Sequence, residues 1–199
     1  MKDGILHLFY WRKVPVQLHW TVLVFVAYAA ISRTFSGAEL LGFGIVILVH
    51  ELGHAFLVQR CRLRALRIMI HAFGGECIHE ATHDQRQSVI IAWGGVLAQV
   101  ALFLAALVFA KLIAPISNET LRDLLGVLLG YNLIMAAFNL LPIRPFDGHM
   151  AWKLTHLRSS TKRPSATASK AKRAVRRTDI DRVVDEALDE ARSKKSADT

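Results

Sequence analysis

The stretch "LLGFGIVILVHELGHAFLV" (40–58) leaves the chain little choice of surroundings. It is close to the roughly 20 apolar residues that a helix needs to cross a bilayer. Yet it carries His50, Glu51 and His54. Three further stretches approach the same length: "VQLHWTVLVFVAYAAI" (16–31), "VIIAWGGVLAQVALFLAALVFAKLIA" (89–114) and "LRDLLGVLLGYNLIMAAFNLL" (121–141). Backbone groups in lipid must be satisfied within the protein, so each stretch reads as a transmembrane helix. Since 53% of the 199 residues are hydrophobic, a small membrane protein is expected rather than a soluble domain. The fold class read from the chain is all-α, with about four transmembrane helices.

A net charge of +9 invites a nucleic-acid reading, but its distribution points elsewhere. Lys2, Arg12 and Lys13 precede the first span, Arg60, Arg62, Arg64, Arg67 and Arg86 lie between the second and third, and most of the rest follows the fourth. Only Arg33, Lys111 and Arg122 fall in the other two loops. The positive-inside rule then places both termini in the cytoplasm of a multi-pass protein of the cell membrane. The first span is not expected to be a cleaved signal, because no convincing small-residue cleavage site follows it. Cys61 and Cys77 fall on the reducing side and are assigned no chemistry.

Histidines four apart on a helix share a face, so His50 and His54 can reach one ion, with Glu51 able to reach a water on it. HExxH alone also fits two histidines hydrogen-bonded within a bundle. Burying two imidazoles and a carboxylate in lipid for packing alone costs several kcal/mol, which weakens that alternative. A catalytic zinc takes three protein ligands and one open position. The best candidate for the third is Asp147, in "FNLLPIRPFDGHMAW" (138–152): spans two and four cross in the same direction, so their C-terminal ends emerge on one face. Pro142 and Pro145 cannot continue a regular helix, so a broken segment there makes a plausible ligand arm.

"HELGH" followed by "NLLPIRPFDG" resembles the site-two protease family of intramembrane zinc metalloproteases. "VPVQLHWTVLVF" (14–25) is similar to the start of its first core helix, "AFGGECIHE" (72–80) to its membrane-associated β-hairpin, and "WGGVLAQVAL" (93–102) to its third-helix motif. The likeness covers roughly residues 14–152, without an obvious PDZ or CBS domain. It departs from the family at Val96 and Gln99, where Pro and Asn are common, and at His149, where a second Gly often follows D-G. His149 thus either replaces a substrate-positioning glycine or touches the metal. The resemblance implies Zn²⁺ held by His50, His54 and Asp147, with Glu51 as general base, hydrolysing peptide bonds within or near transmembrane segments in regulated intramembrane proteolysis. It also implies that Asn139 contacts the substrate backbone; a buried polar residue bonding a neighbouring helix fits the same position.

A substrate helix must unwind to be cut, and something must hold the unwound strand. The segment 66–80 alternates loosely, with Gly74 and Gly75 expected as turn residues of a hairpin whose edge pairs with substrate. A linker lying on the membrane surface fits the same residues. Gln99 either faces inward toward substrate or bonds another helix. The small residues of span three, Gly94, Gly95, Ala98, Ala101, Ala105 and Ala106, allow close packing against the zinc-bearing helix. His19, His71, His79 and His83 are read as non-ligands.

Residues 1–157 are expected to form the core. Residues 158–177 form a basic disordered linker beside anionic lipid, without aromatic residues to stack nucleic-acid bases. Residues 178–199 form a short amphipathic helix and tail, which leaves open a cytoplasmic partner. The expected partners are a transmembrane protein substrate and the bilayer, with no nucleic acid. Two other functions compete: a pseudoprotease that binds transmembrane helices, against which Glu51 counts, and a metal transporter, for which a second site is missing.

Overall fold

A computed structural model describes residues 4–153. The expected boundary at 157 and both tail segments lie outside the described residues. Two strands come first, β1 (Ile5–Trp11) and β2 (Val14–His19), followed by helix α1 (Thr21–Ser32) and the long helix α2 (Gly37–Arg60). A second hairpin, β3 (Ala65–His71) and β4 (Gly74–His79), leads into the 28-residue α3 (Gln85–Leu112). The last span is composite: α4 (Glu119–Gly126), a π-helical turn (Val127–Tyr131) and α5 (Asn132–Asn139). One further helical turn, α6 (Gly148–Ala151), closes the described chain.

Local chemistry sets the helix starts. At α2 a capping box operates: the Glu39 N–H donates to Ser36 Oγ (3.2 Å) and the Ser36 N–H to Glu39 Oε2 (2.7 Å). Asp84 and Asn118 cap α3 and α4 through their side-chain oxygens. Three helical segments are long and apolar enough to span a membrane, Gly37–Arg60, Gln85–Leu112 and Glu119–Asn139. Their outer faces expose large apolar side chains such as Leu41, Leu104, Val108 and Ile134, as a lipid-facing surface requires. The protein is a membrane protein with multiple spanning helices.

The all-α expectation with about four spans is corrected here. Residues 16–19 belong to a strand, and α1 has 12 residues, about 18 Å at 1.5 Å per residue and short of a hydrocarbon core of about 30 Å. The expected lone hairpin is half of a four-stranded mixed sheet in the order β1-β2-β3-β4. β1 and β2 are antiparallel, as are β3 and β4, whereas β2 and β3 run parallel with Val16 opposite Ile68 and Leu18 opposite Ile70. A parallel pair needs a long crossover, and α1 with α2 provides it. The sheet packs on the C-terminal half of α2: Val14, Val16, Ala55 and Ile68 form one buried cluster. That contact sets β4 beside the HELGH turns.

The hairpin also turns elsewhere than expected. His71 pairs with Gly74, so Ala72 and Phe73 form the loop; Gly74 (φ +134°) opens β4, and Gly75 pairs with Ile70 inside the strand.

Candidate metal centre and cleft

α2 and α3 cross where both carry glycine. A Cβ on Gly53 would lie 2.2 Å from the Gly94 carbonyl oxygen, so the two backbones touch. That contact brings α3 against the imidazoles. The next residue of α3, Gly95, lies flush with the His50 ring, where a Cβ would come 2.3 Å from Cε1. Behind the rings, α3 supplies two acceptors. The His50 Nδ1–H donates to Gln99 Oε1 at 3.0 Å, and the His54 Nδ1–H donates to the Ile91 carbonyl at 2.8 Å.

These two bonds fix the tautomers, leaving both Nε2 atoms as bare acceptors. The two nitrogens stand 3.0 Å apart, and Asp147 Oδ2 lies 3.0 Å from His50 Nε2 and 3.1 Å from His54 Nε2. Three acceptor atoms this close repel one another without a cation between them. The donor set, two imidazoles and a carboxylate, suits zinc. Among the described residues, His50, His54 and Asp147 form the group whose ligand atoms could hold a metal ion. His149 is not part of it, though it lines the cleft.

Asp147 arrives on non-helical chain. After Leu140 the backbone bends through residues 141–147, as Pro142 and Pro145 require. The arm is held in three places. A Cβ on Gly148 would lie 2.3 Å from the Leu140 carbonyl carbon and oxygen, so only glycine fits there. The Trp152 Nε1–H donates to the Leu140 carbonyl (2.7 Å), and the Trp93 Nε1–H donates to the Ala151 carbonyl (3.3 Å).

The cluster opens on a cleft of about 990 Å³, walled by α2, α3, α5, the arm and the β3–β4 hairpin. His50, Glu51 and His54 are 8%, 5% and 7% exposed. Glu51 lies against the hairpin: a Cβ on Gly75 would meet its Cγ at 2.5 Å and Oε1 at 2.7 Å. Among the described residues its carboxylate makes no protein hydrogen bond, so it is free to take a proton.

The other site residues read from sequence fall into two places. Gly74, Gly75 and Asn139 line the cleft. The Asn139 amide nitrogen lies 3.3 Å from His50 Nδ1; since that nitrogen already gives its hydrogen to Gln99, the amide stays available to a group in the cleft. Gln99 is fully buried behind His50 and does not line the cleft. Among the described residues its Nε2 has no hydrogen-bond partner, so the side chain keeps its grip on His50 at the cost of an orphaned donor. Sequence reasoning missed this role, although Gln99 follows Gly95 by one helical turn and so shares its face. Cys77 also lines the cleft. Burial, with the charges of Glu51 and Glu76 adding to it, pushes its thiol up to about 12, and its sulfur is not among the ligand atoms that gather at the cluster.

No protein-family profile matches the chain. It is 28% identical over 116 residues to a candidate zinc metalloprotease, sll0528, of Synechocystis, a match covering 55% of this chain and 30% of that protein. It is 28% identical over 140 residues to Stage IV sporulation protein FB of Bacillus subtilis, covering 69% and 47%. The chain thus spans less than half the length of either relative. Its fold matches the site-2 protease from Methanocaldococcus jannaschii with a TM-score of 0.58 at 20% identity, covering 84% of this chain and 77% of that one.

Proposed function

Because the chain belongs to the site-2 protease family, we propose that it is an intramembrane zinc endopeptidase that cuts peptide bonds within or near transmembrane segments of membrane proteins. The observation that carries this reading is the convergence of His50 Nε2, His54 Nε2 and Asp147 Oδ2 to within 3.1 Å, one residue from a free, buried glutamate. Those three atoms would hold zinc, which would supply a Lewis acid for the scissile carbonyl and acidify the attacking water.

The remaining steps belong to the chain's own side chains. Glu51 takes the water's proton and returns it to the leaving amine. Asn139 offers its amide to the substrate backbone beside His50. β4 is an outer strand of the sheet and borders the cleft, so an unwound substrate segment can add to it as a further strand. Gly75 lets that strand approach Glu51 without a side chain intervening. Arg60, Arg62, Arg64, Arg67 and Arg86, from the end of α2 to the start of α3, favour the cytoplasmic side for that end of α2, which puts the cluster near the cytoplasmic side of the bilayer.

The test is reconstitution of the full chain in liposomes with zinc and a panel of single-span proteins, alongside its Glu51→Gln variant. Wild type is expected to cut at least one substrate, and the variant to cut it slower by about 100-fold or more while keeping its zinc, the usual scale of a lost general base. Equal cutting by both removes Glu51 from the mechanism. Cutting by neither favours a pseudoprotease that binds transmembrane helices.

A further inference from the structure

A second cavity, an apolar groove of about 380 Å³ between α2 and α3, shares no lining residue with the cleft. The close crossing at Gly53 and Gly94, with Ala98, forms its floor, while Leu52, Phe56 and Leu97 stand along it and Trp11 of β1 closes one end. Every lining group is apolar, as a surface turned to lipid should be. The Trp11 end differs, because two cations cover it. The Arg12 guanidinium lies 5.2 Å from the Trp11 ring centre and 5.5 Å from that of Phe56, and the Arg60 guanidinium lies 5.4 Å from the same Phe56 ring.

Both arginines are held by backbone the fold fixes. Arg12 occupies the left-handed turn between β1 and β2 (φ +46°), and its carbonyl accepts from Gln59 Nε2 at 3.4 Å, which ties the turn to the end of α2. Arg60 is the last residue of that helix. Stacking on a ring engages the face of a guanidinium and leaves its N–H edges free. Among the described residues neither arginine pairs with a carboxylate. Two like charges therefore share one ring without a counter-ion, at the end of a membrane-spanning helix where headgroups lie.

What complements this surface is a molecule with an anionic head and an apolar chain. We propose that the groove is a binding site for an anionic phospholipid, one acyl chain lying along Leu52, Phe56 and Leu97 and the phosphate held between Arg12 and Arg60. A guanidinium pair matches the paired oxygens of a phosphate. The site lies on a different strip of α2 from the ligands, so lipid can be held there while the cleft stays open.

Native mass spectrometry of the full chain in mild detergent tests this, with phosphatidylglycerol and phosphatidylcholine of matched chains as probes. Wild type is expected to hold one phosphatidylglycerol at least about tenfold more tightly than phosphatidylcholine. R12Q/R60Q should bring that preference to within about threefold, whereas K111Q/R122Q, which removes cations from the other membrane face, should leave it unchanged. Glycerol 3-phosphate, which carries the head without the chains, should not compete. R60Q alone, read the same way, covers the case of an unstable double variant, with an intermediate preference expected. A preference that survives R12Q/R60Q and R60Q, an equal loss in K111Q/R122Q, displacement by glycerol 3-phosphate, or displacement by a transmembrane peptide in place of lipid would each overturn the proposal.

Discussion

Two constructions meet at the metal cluster, and they hold their ligands differently. On α2 the histidine spacing is set by helix geometry, and the rings are locked from behind by α3: Gln99 on His50, the Ile91 carbonyl on His54, and the Gly53–Gly94 contact beneath both. On the arm there is no regular structure to inherit. Asp147 stands where it does because Gly148 fits against Leu140 and two indole N–H groups tie the far end to backbone carbonyls. The helix pair is part of the membrane-embedded core, so damage to it should reach the whole molecule. The arm is local, and damage to it should reach mainly the metal.

That contrast can be broken experimentally. The largest effect is expected from Gly53→Ala, whose Cβ would overlap the Gly94 carbonyl. The helices must part, at about 3 kcal/mol of stability, the upper end for overpacking, and both thermal denaturation in detergent and zinc content should fall. Gly148→Ala meets equally hard backbone, yet only the arm needs to shift. Zinc affinity should drop about 100-fold, while stability falls by about 1 kcal/mol. Equal losses of stability in the two variants would erase the distinction. Gln99→Leu sharpens it further. It removes the acceptor behind His50 but also the orphaned Nε2, so zinc should bind about tenfold more weakly with stability changed by less than about 1 kcal/mol. A Gln99→Leu protein that binds zinc as wild type does would show that His50 needs no support from α3.

How legible each part was follows from the same physics. His50, Glu51 and His54 could be read because helical spacing and the cost of charge in lipid are both visible in the sequence. Asp147 could be read because two prolines break the span beside it and the late motif resembles the family's. The sheet could not. β1 and β2 are short apolar runs, and such runs do not reveal whether they are strand or helix. The strand that pairs with β2 is β3, with Val16 opposite Ile68 across α1 and α2, and no local pattern announces a parallel partner that far along the chain. Gly75 was read as a turn residue because glycine pairs often are. Its actual constraint is the Glu51 side chain packed against it, a contact made only after folding. Gln99 was ambiguous for a related reason: one helical turn decides between facing substrate and backing a ligand.

The proposed chemistry depends on a metal gripped by two imidazoles of α2 and one carboxylate of the arm. Zinc content with zinc K-edge spectroscopy on the purified full chain and its Asp147→Ala variant tests this most directly. About one zinc per chain, coordinated by nitrogen and oxygen without sulfur, is expected in wild type, with at most about a tenth of that in the variant. A variant that keeps its zinc with an unchanged spectrum would contradict it.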